Sequence, residues 1–378
     1  MKKVMIIAGE ASGDQHAALL VKAVHKKQTG IEFFGIGGEK MRAAGVETLV
    51  DAAEMAVVGL IEVLAHRKVI FGALNKMRSL LTEKRPDLLI LVDYPEFNLR
   101  LAKSAKEADI KVLFYISPQV WAWRQKRVYT IRKRVDMMAV VFPFEVDFYQ
   151  QHHVPVRYVG HPLVNEVQPS KSRPELLEEL DLLATRPIVG IFPGSRKSEI
   201  KRLLPILMDA ARRIRKQQPE VQFVMPLAST VDESFLNIGN DPLRAHIKII
   251  PQRSYDVITV CDAIMTVSGT VTLEIALMQK PMVIINKVAW LTYHIVRRML
   301  KIDHIGLCNI VANQRLVPEL IQHDARAALI ADAILHFLND SDYRQKTIEA
   351  LEIVRERLGK VNATEQVAQL TLEMLDQA

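Results

Sequence analysis

Short, nearly continuous apolar runs alternate with longer helical patterns along most of the chain. The runs fall at 3–8, 31–36, 87–92, 110–116, 136–142 and 156–159, then at 187–192, 221–226, 246–250, 263–267 and 281–285. Runs that are apolar on both faces, with helices between them, predict parallel strands covered on both sides. Beyond about residue 320 only helical periodicity remains, at 324–337, 341–357 and 362–376. Residues 161–174 break the rhythm with three prolines, Asn165 and the polar stretch Ser170-Lys171-Ser172-Arg173, which predicts a linker. The expected architecture is α/β: two doubly wound, Rossmann-like domains facing across a cleft. Their expected bounds are 1–166 and 167–340, with a helical tail at 341–378.

Composition narrows the partners. A chain of 378 residues exceeds one core, and 49% hydrophobic with 25% charged residues excludes disorder. The net charge of +7 asks for an anionic partner: nucleic acid, a phosphorylated metabolite or an acidic membrane surface. Cys261 and Cys308, both in apolar settings, exclude a disulfide scaffold and a Cys-based zinc site. Residues 4–8 are too short for a secretory signal and read as a strand, and the apolar run 55–61 is too short to span a membrane. The expectation is a cytoplasmic protein that touches a membrane surface. No H-E-x-x-H occurs, and Asp340-Ser341-Asp342 lies between two helices, where capping explains it better than metal binding.

In doubly wound folds ligands bind beyond the carboxyl ends of the strands. Strand 187–192 runs into Pro193-Gly194-Ser195-Arg196 and a helix, a turn that suits an anion or serves as an ordinary capped start with a solvated arginine. Strand 263–267 runs into Ser268-Gly269-Thr270, with Glu274 on the helix face of Thr270. Two such turns, one followed by a carboxylate, favour a nucleoside diphosphate, with Glu274 reaching ribose hydroxyls. There is no P-loop motif, and Gly35-Ile36-Gly37-Gly38 lacks dinucleotide spacing, which leaves close backbone approach as its reading.

In the first half, strand 87–92 delivers Asp93, a candidate general base, and Asn98, which suits a helix cap. The turn Gly9-Glu10-Ala11-Ser12-Gly13-Asp14 offers close backbone approach, with Ser12 or Asp14 as hydroxyl ligands, or with Ser12 simply a helix cap. Trp121, Trp123 and Arg124 follow strand 110–116, and residues 124–135 hold six bases and no acid. That pattern fits nucleic acid, an anionic lipid surface, or a solvated basic helix over buried tryptophans. Residues 58–85 read as one helix with Leu60, Val63, Leu64, Ile70, Phe71, Leu74 and Met77 along a broad arc and His66, Arg67, Lys68, Lys76 and Arg78 as cations. An interfacial helix and a core helix with snorkelling cations both fit.

The segments AGEASGD (8–14), GIGGEKM (35–41), VGLIEVL (58–64), DYPEFN (93–98), SPQVWAWRQKRV (117–128), FPFE (142–145), GHP (160–162), PGSRKSEI (193–200) and SGTVTLE (268–274) resemble, in order, bacterial lipid-A-disaccharide synthases. The likeness spans essentially the whole chain. Ala11, Tyr94 and Glu96 stand where Thr, Ala and Asp are common in that family. The resemblance implies an inverting GT-B glycosyltransferase without cofactor or metal. Its donor would be UDP-2,3-diacylglucosamine, its acceptor 2,3-diacylglucosamine 1-phosphate, and its products UDP and the β-1,6-linked disaccharide 1-phosphate. Asp93 would be the base and Arg196 would neutralise departing UDP, with Gly194, Ser195, Ser268, Gly269, Thr270, Glu274, Asn309, Glu319 and Gln322 around the donor. Glu10, Ser12, Gly13, Asp14, Asn98, Trp121, Trp123 and Arg124 would lie on the acceptor side. Leu60, Val63, Leu64, Arg67, Ile70 and Phe71 would meet the anionic inner membrane. The resemblance also implies a helical tail, 341–378, that returns to the first domain, a homodimer through exchanged C-terminal segments, and no nucleic-acid partner. A UDP-N-acetylglucosamine 2-epimerase, or a non-catalytic nucleic-acid binder using the basic run, are the competing readings.

Overall fold

The computed structural model describes residues 1–55, 67–228, 231–288 and 302–377. Every predicted strand forms. β1 (Lys2–Ala8), β2 (Ile31–Gly37), β3 (Glu47–Asp51), β4 (Leu88–Val92), β5 (Lys111–Tyr115), β6 (Met137–Val140) and β7 (Val156–Tyr158) make a parallel sheet. Its order is β3-β2-β1-β4-β5-β6-β7. β8 (Ile188–Phe192), β9 (Gln222–Leu227), β10 (Ile247–Pro251), β11 (Ala263–Val267), β12 (Met282–Asn286) and β13 (Glu319–Ile321) make a second parallel sheet, ordered β10-β9-β8-β11-β12-β13. β3 and β13 are additions to the predicted set. Both are edge strands with no fully buried residue, so they lack the continuous apolar run that marks a central parallel strand.

The chain divides into two compact units, Met1–Pro162 with Lys360–Ala378, and Leu163–Gly359. The predicted linker supplies the division at 162/163, and then folds as part of the second unit. There, Ser172 and Glu175 form a capping box and Asp256 accepts from Ser170 N (2.7 Å) and Ser170 Oγ (2.8 Å). The expected tail is shared out. The helix Ser341–Leu358, N-capped by Asp340, buries Thr347, Leu351, Val354 and Leu358, spaced to form one stripe, within the second unit. Only the helix Ala363–Asp376 belongs to the first unit, where it packs on Ala11–Lys27 of the same chain. Ion pairs Lys27–Glu365 (2.9 Å) and Arg157–Glu373 (2.6 Å) flank that contact.

In each sheet the strand order reverses direction once, between β1 and β4 and between β8 and β11. Such reversals open a crevice at the carboxyl ends, because the loops leaving the two adjacent strands travel to opposite sides. Asp14 sets one wall of the first crevice. It is buried in the first turn of Ala11–Lys27, and its carboxylate accepts from Gly38 N (2.6 Å), Lys40 N (3.1 Å) and Met41 N (3.1 Å). It therefore caps the helix Glu39–Ala43 from a neighbouring element, closing the turn after β2 against the turn after β1. Asp14→Ala leaves three backbone donors without this acceptor and is expected to cost about 2–3 kcal/mol. Urea unfolding measures it as a lowered midpoint at unchanged slope; a loss under about 0.5 kcal/mol would show that water replaces the carboxylate.

Candidate active site

The first crevice is built on an unusual exit from β4. Asp93 and Tyr94 follow it at φ of 48° and 45°, two successive non-glycine residues in the left-handed region. Pro95 then starts the helix Pro95–Glu107. Asn98, one turn in, is fully buried, and its Nδ2 donates to Asp93 O (2.6 Å) and Val92 O (3.3 Å). Its amide thus holds the turn rather than the crevice. Gly9 leaves room for the Tyr94 ring, since a Cβ there would sit 2.6 Å from Tyr94 Cδ1. The result presents Asp93, half-buried, beside exposed Glu10 at the end of β1. Burial, then the neighbouring Glu10 charge, push the Asp93 carboxyl up to about 6, against a smaller opposing pull from the Tyr94 N–H. Ser12 is exposed in the first turn of the next helix, and Gly13 is buried.

The second crevice is a cavity of about 360 Å³. Gly194, Ser195 and Arg196 after β8, and Ser268, Gly269, Thr270 and Glu274 after β11, all line it, as the two-turn reading expects. Gly194 has φ of 100°, and a Cβ there would lie 3.1 Å from both Glu199 Oε2 and Val267 Cγ2, so the position demands glycine. Arg196 precedes the 21-residue helix Lys197–Gln217, whose first turn presents backbone N–H groups. Its side chain is 77% exposed and pairs with Glu199 at 3.0 Å. Glu274 is pushed up to about 7 by burial and then by the charge of Glu166.

Asn309, Glu319 and Gln322 are not among the residues lining this cavity. Glu319 accepts from Ile305 N (3.0 Å), Gly306 N (2.9 Å) and Asn309 Nδ2 (2.8 Å), which pins the start of the helix Leu307–Ala312 to β13. Asn309 Oδ1 accepts from Leu316 N (2.8 Å) and Val317 N (3.2 Å). Gln322 bonds to both backbone groups of Val288, its Oε1 accepting at 2.8 Å and its Nε2 donating at 3.2 Å.

Comparison with known proteins identifies the lineage. The family model described as lipid-A-disaccharide synthetase matches residues 4–372. Lipid-A-disaccharide synthase of Geobacter metallireducens is 54% identical over 374 residues, covering 99% of this chain and 97% of that protein. The namesake of Nitrosococcus oceani is 53% identical over 373 residues, covering 99% and 96%. The chain belongs to the lipid-A-disaccharide synthase family. As a member it is a glycosyltransferase of lipid A biosynthesis. Solved structures agree on the GT-B fold alone. UDP-GlcNAc 2-epimerase from Neisseria meningitidis bound to UDP-GlcNAc gives a TM-score of 0.66 at 12% identity, covering 99% of this chain and 100% of that one. CalG4, the calicheamicin glycosyltransferase, gives 0.62 at 14%, covering 100% and 99%.

In this member of the lipid-A-disaccharide synthase family the two loop tryptophans take opposite roles. Trp121 is 7% exposed, and its Nε1 donates to the buried Glu145 carboxylate at 3.1 Å, whereas Trp123 is 40% exposed under the Arg124 guanidinium, 4.2 Å from the ring centre. Glu145, in the first turn of the helix Phe144–Gln151, also accepts from Phe142 N at 3.1 Å. Burial pushes it up to about 7. Its place in FPFE is the only sequence signal for this anchor. Leu60, Val63 and Leu64 lie outside the described residues, as does the side chain of Arg67. The helix Arg67–Lys84 buries Ala73, Leu74, Met77 and Leu81, leaves Ile70 half-buried and exposes Phe71 by 42%. Glu199, Pro226 and Ser254 also line the cavity of the second unit. All three were missed in sequence; a carboxylate three residues after Arg196 is the one signal that could have found Glu199, and Pro226 and Ser254 carry no chemical signal there.

A carboxyl raised from its unfolded value binds more protons when folded, so stability falls as pH rises through the interval from about 4 to about 6. Asp93→Asn is therefore expected to stabilise the fold by about 1–3 kcal/mol at neutral pH and by little at about pH 4. Denaturant titrations at the two pH values measure it; equal stability of both proteins at neutral pH would show that Asp93 is not held against its solvation.

Proposed function

We propose that the chain joins UDP-2,3-diacylglucosamine to 2,3-diacylglucosamine 1-phosphate, forming the β-1,6-linked disaccharide 1-phosphate and releasing UDP. The observation that carries the reading is Asp93, a half-buried carboxylate raised to about 6 at the switch point of the first sheet. It is more basic than an ordinary carboxylate yet ionised at neutral pH, as a general base requires. Asp93 takes the proton of the acceptor 6-hydroxyl while that oxygen bonds to C1 of the donor sugar. The bond from C1 to the diphosphate oxygen breaks on the opposite face, and its electron pair leaves with UDP. Configuration at C1 inverts.

The second unit supports the leaving group. Negative charge growing on UDP is met by the Gly194–Arg196 turn, by the N–H groups opening Lys197–Gln217 and by the exposed Arg196 guanidinium. Ser268, Gly269 and Thr270 frame the same cavity, and Glu274 accepts from ribose hydroxyls. Asn309, Glu319 and Gln322 act on this site by fixing the segments around β12 and β13. On the acceptor side, Glu10 and Ser12 offer exposed groups beside Asp93, while Asp14, Asn98 and Trp121 hold the walls.

We also place the enzyme at the cytoplasmic face of the inner membrane. Both substrates carry acyl chains, and the first unit exposes Val69 (40%), Phe71 (42%), Trp123 (40%) and Tyr129 (55%) with cations beside them. Arg100 lies 5.6 Å from the Phe71 ring centre. Among the described residues no helix is long and apolar enough to cross a membrane. Exposed apolar side chains, two of them with an arginine at the ring, suit the interface of an anionic bilayer.

Purified protein mixed with both acylated sugars should release UDP and disaccharide, with or without EDTA. Asp93→Ala should lower kcat by at least about 10²-fold with UDP affinity retained, and a fall under about tenfold would remove Asp93 as the base. In the wild type, kcat/KM should fall as pH drops through about 6, because protonation silences the base. Phe71→Asp should reduce pelleting with phosphatidylglycerol vesicles at least about threefold, and unchanged pelleting would move the membrane contact elsewhere.

A further inference from the structure

Two arginines of the aromatic loop converge on one carboxylate. The Arg124 and Arg127 guanidiniums both donate to Glu96 Oε1, Arg124 at 3.3 Å. Glu96 is 65% exposed in the first turn of Pro95–Glu107, so the three groups form an open cluster with a net positive charge. Each guanidinium has five N–H donors, and most remain unspent here. Arg124 is held in place by the face of Trp123, and the Arg127 side chain is only 26% exposed. Pre-set forks of this kind suit phosphate, whose oxygens can take paired N–H groups where a single carboxylate oxygen takes one from each.

Position selects among anions. Glu96 is three residues from Asp93, so their Cα atoms lie within about 11 Å even for extended chain. An acceptor sugar with its 6-hydroxyl at Asp93 places its anomeric substituent across the ring oxygen from that hydroxyl, within reach of long arginine side chains on the neighbouring turn. We propose that Arg124 and Arg127 form the site for the phosphate monoester of the acceptor, with Glu96 holding the two forks together until that anion arrives. The assignment rests on the acceptor reading of Asp93. The remaining cations of the loop helix Val128–Arg134 are not needed for it; Arg134, for one, already donates to Leu99 O at 2.9 Å.

The test compares 2,3-diacylglucosamine 1-phosphate with the same sugar lacking phosphate, in detergent micelles, with the full-length protein. The readout is the ratio of kcat/KM values for the two acceptors, which cancels any loss of folded enzyme. Arg127→Met and Arg124→Met should each lower that ratio at least about fivefold, mainly through a raised KM for the phosphorylated acceptor, and the double variant should lower it further. Asp93→Asn should depress turnover of both acceptors alike and leave the ratio unchanged, so a failed base assignment stays separate from a failed phosphate site. A ratio unmoved in both arginine variants overturns the proposal. If pelleting with phosphatidylglycerol vesicles falls instead while the ratio holds, the arginines serve lipid headgroups and the proposal is again overturned.

Discussion

The first crevice depends on how the chain leaves β4. Two successive left-handed residues cost about 1–2 kcal/mol each, and neither is glycine. The Asn98 amide offsets part of that cost by binding the carbonyls on either side of the bend, while its Oδ1 meets no donor among the described residues. Gly9 makes the bend sterically possible by giving its space to the Tyr94 ring. A relaxed turn would swing Asp93 away from Glu10, and both causes of its raised proton affinity would weaken together.

The two sheets solve the same problem with different chemistry. In the second, a glycine turn and a helix start gather dipoles and one cation, a setting that suits an anion. In the first, a glycine turn and a strained bend gather two carboxylates, one of them with raised proton affinity. Parallel strands make both arrangements possible, because every strand ends on the same edge and brings its loop there. The positive charge of the chain follows this division only in part. Arg196 lines the cavity of the second unit, whereas the cations around Phe71, Trp123 and Glu96 all lie in the first.

The central strands and the seven predicted residues framing the cavity of the second unit were legible because they follow local rules: unbroken apolar runs, and glycine or hydroxyl residues directly after them. β3 and β13 escaped because each holds only two apolar residues, bounded by Glu47 and Asp51 in one and opened by Glu319 in the other. The opposite fates of Trp121 and Trp123 were hidden for another reason. Only the distant Glu145 decides which ring turns inward, and no periodicity in the loop announces it. Asn98 reads as a helix cap and Asp14 as a hydroxyl ligand in sequence; Asn98 instead holds the carbonyls of its own turn, and Asp14 caps the helix after β2, a pairing settled only by the register of β1 and β2. Asn309, Glu319 and Gln322 follow the same pattern, since their hydrogen bonds run to backbone brought near by β12 and β13.

The helix Ala363–Asp376 gives the first unit a piece that is synthesised only after the whole of the second. Until it emerges from the ribosome, the face of Ala11–Lys27 that it covers has no partner, and neither do its own Val367, Leu370, Met374 and Leu375. The N-terminal unit therefore cannot finish folding until the second has been synthesised, although all of its strands are made early. Its completion coincides with the end of the second unit, so a nascent chain stalled between them would display an uncovered apolar helix face to chaperones and proteases.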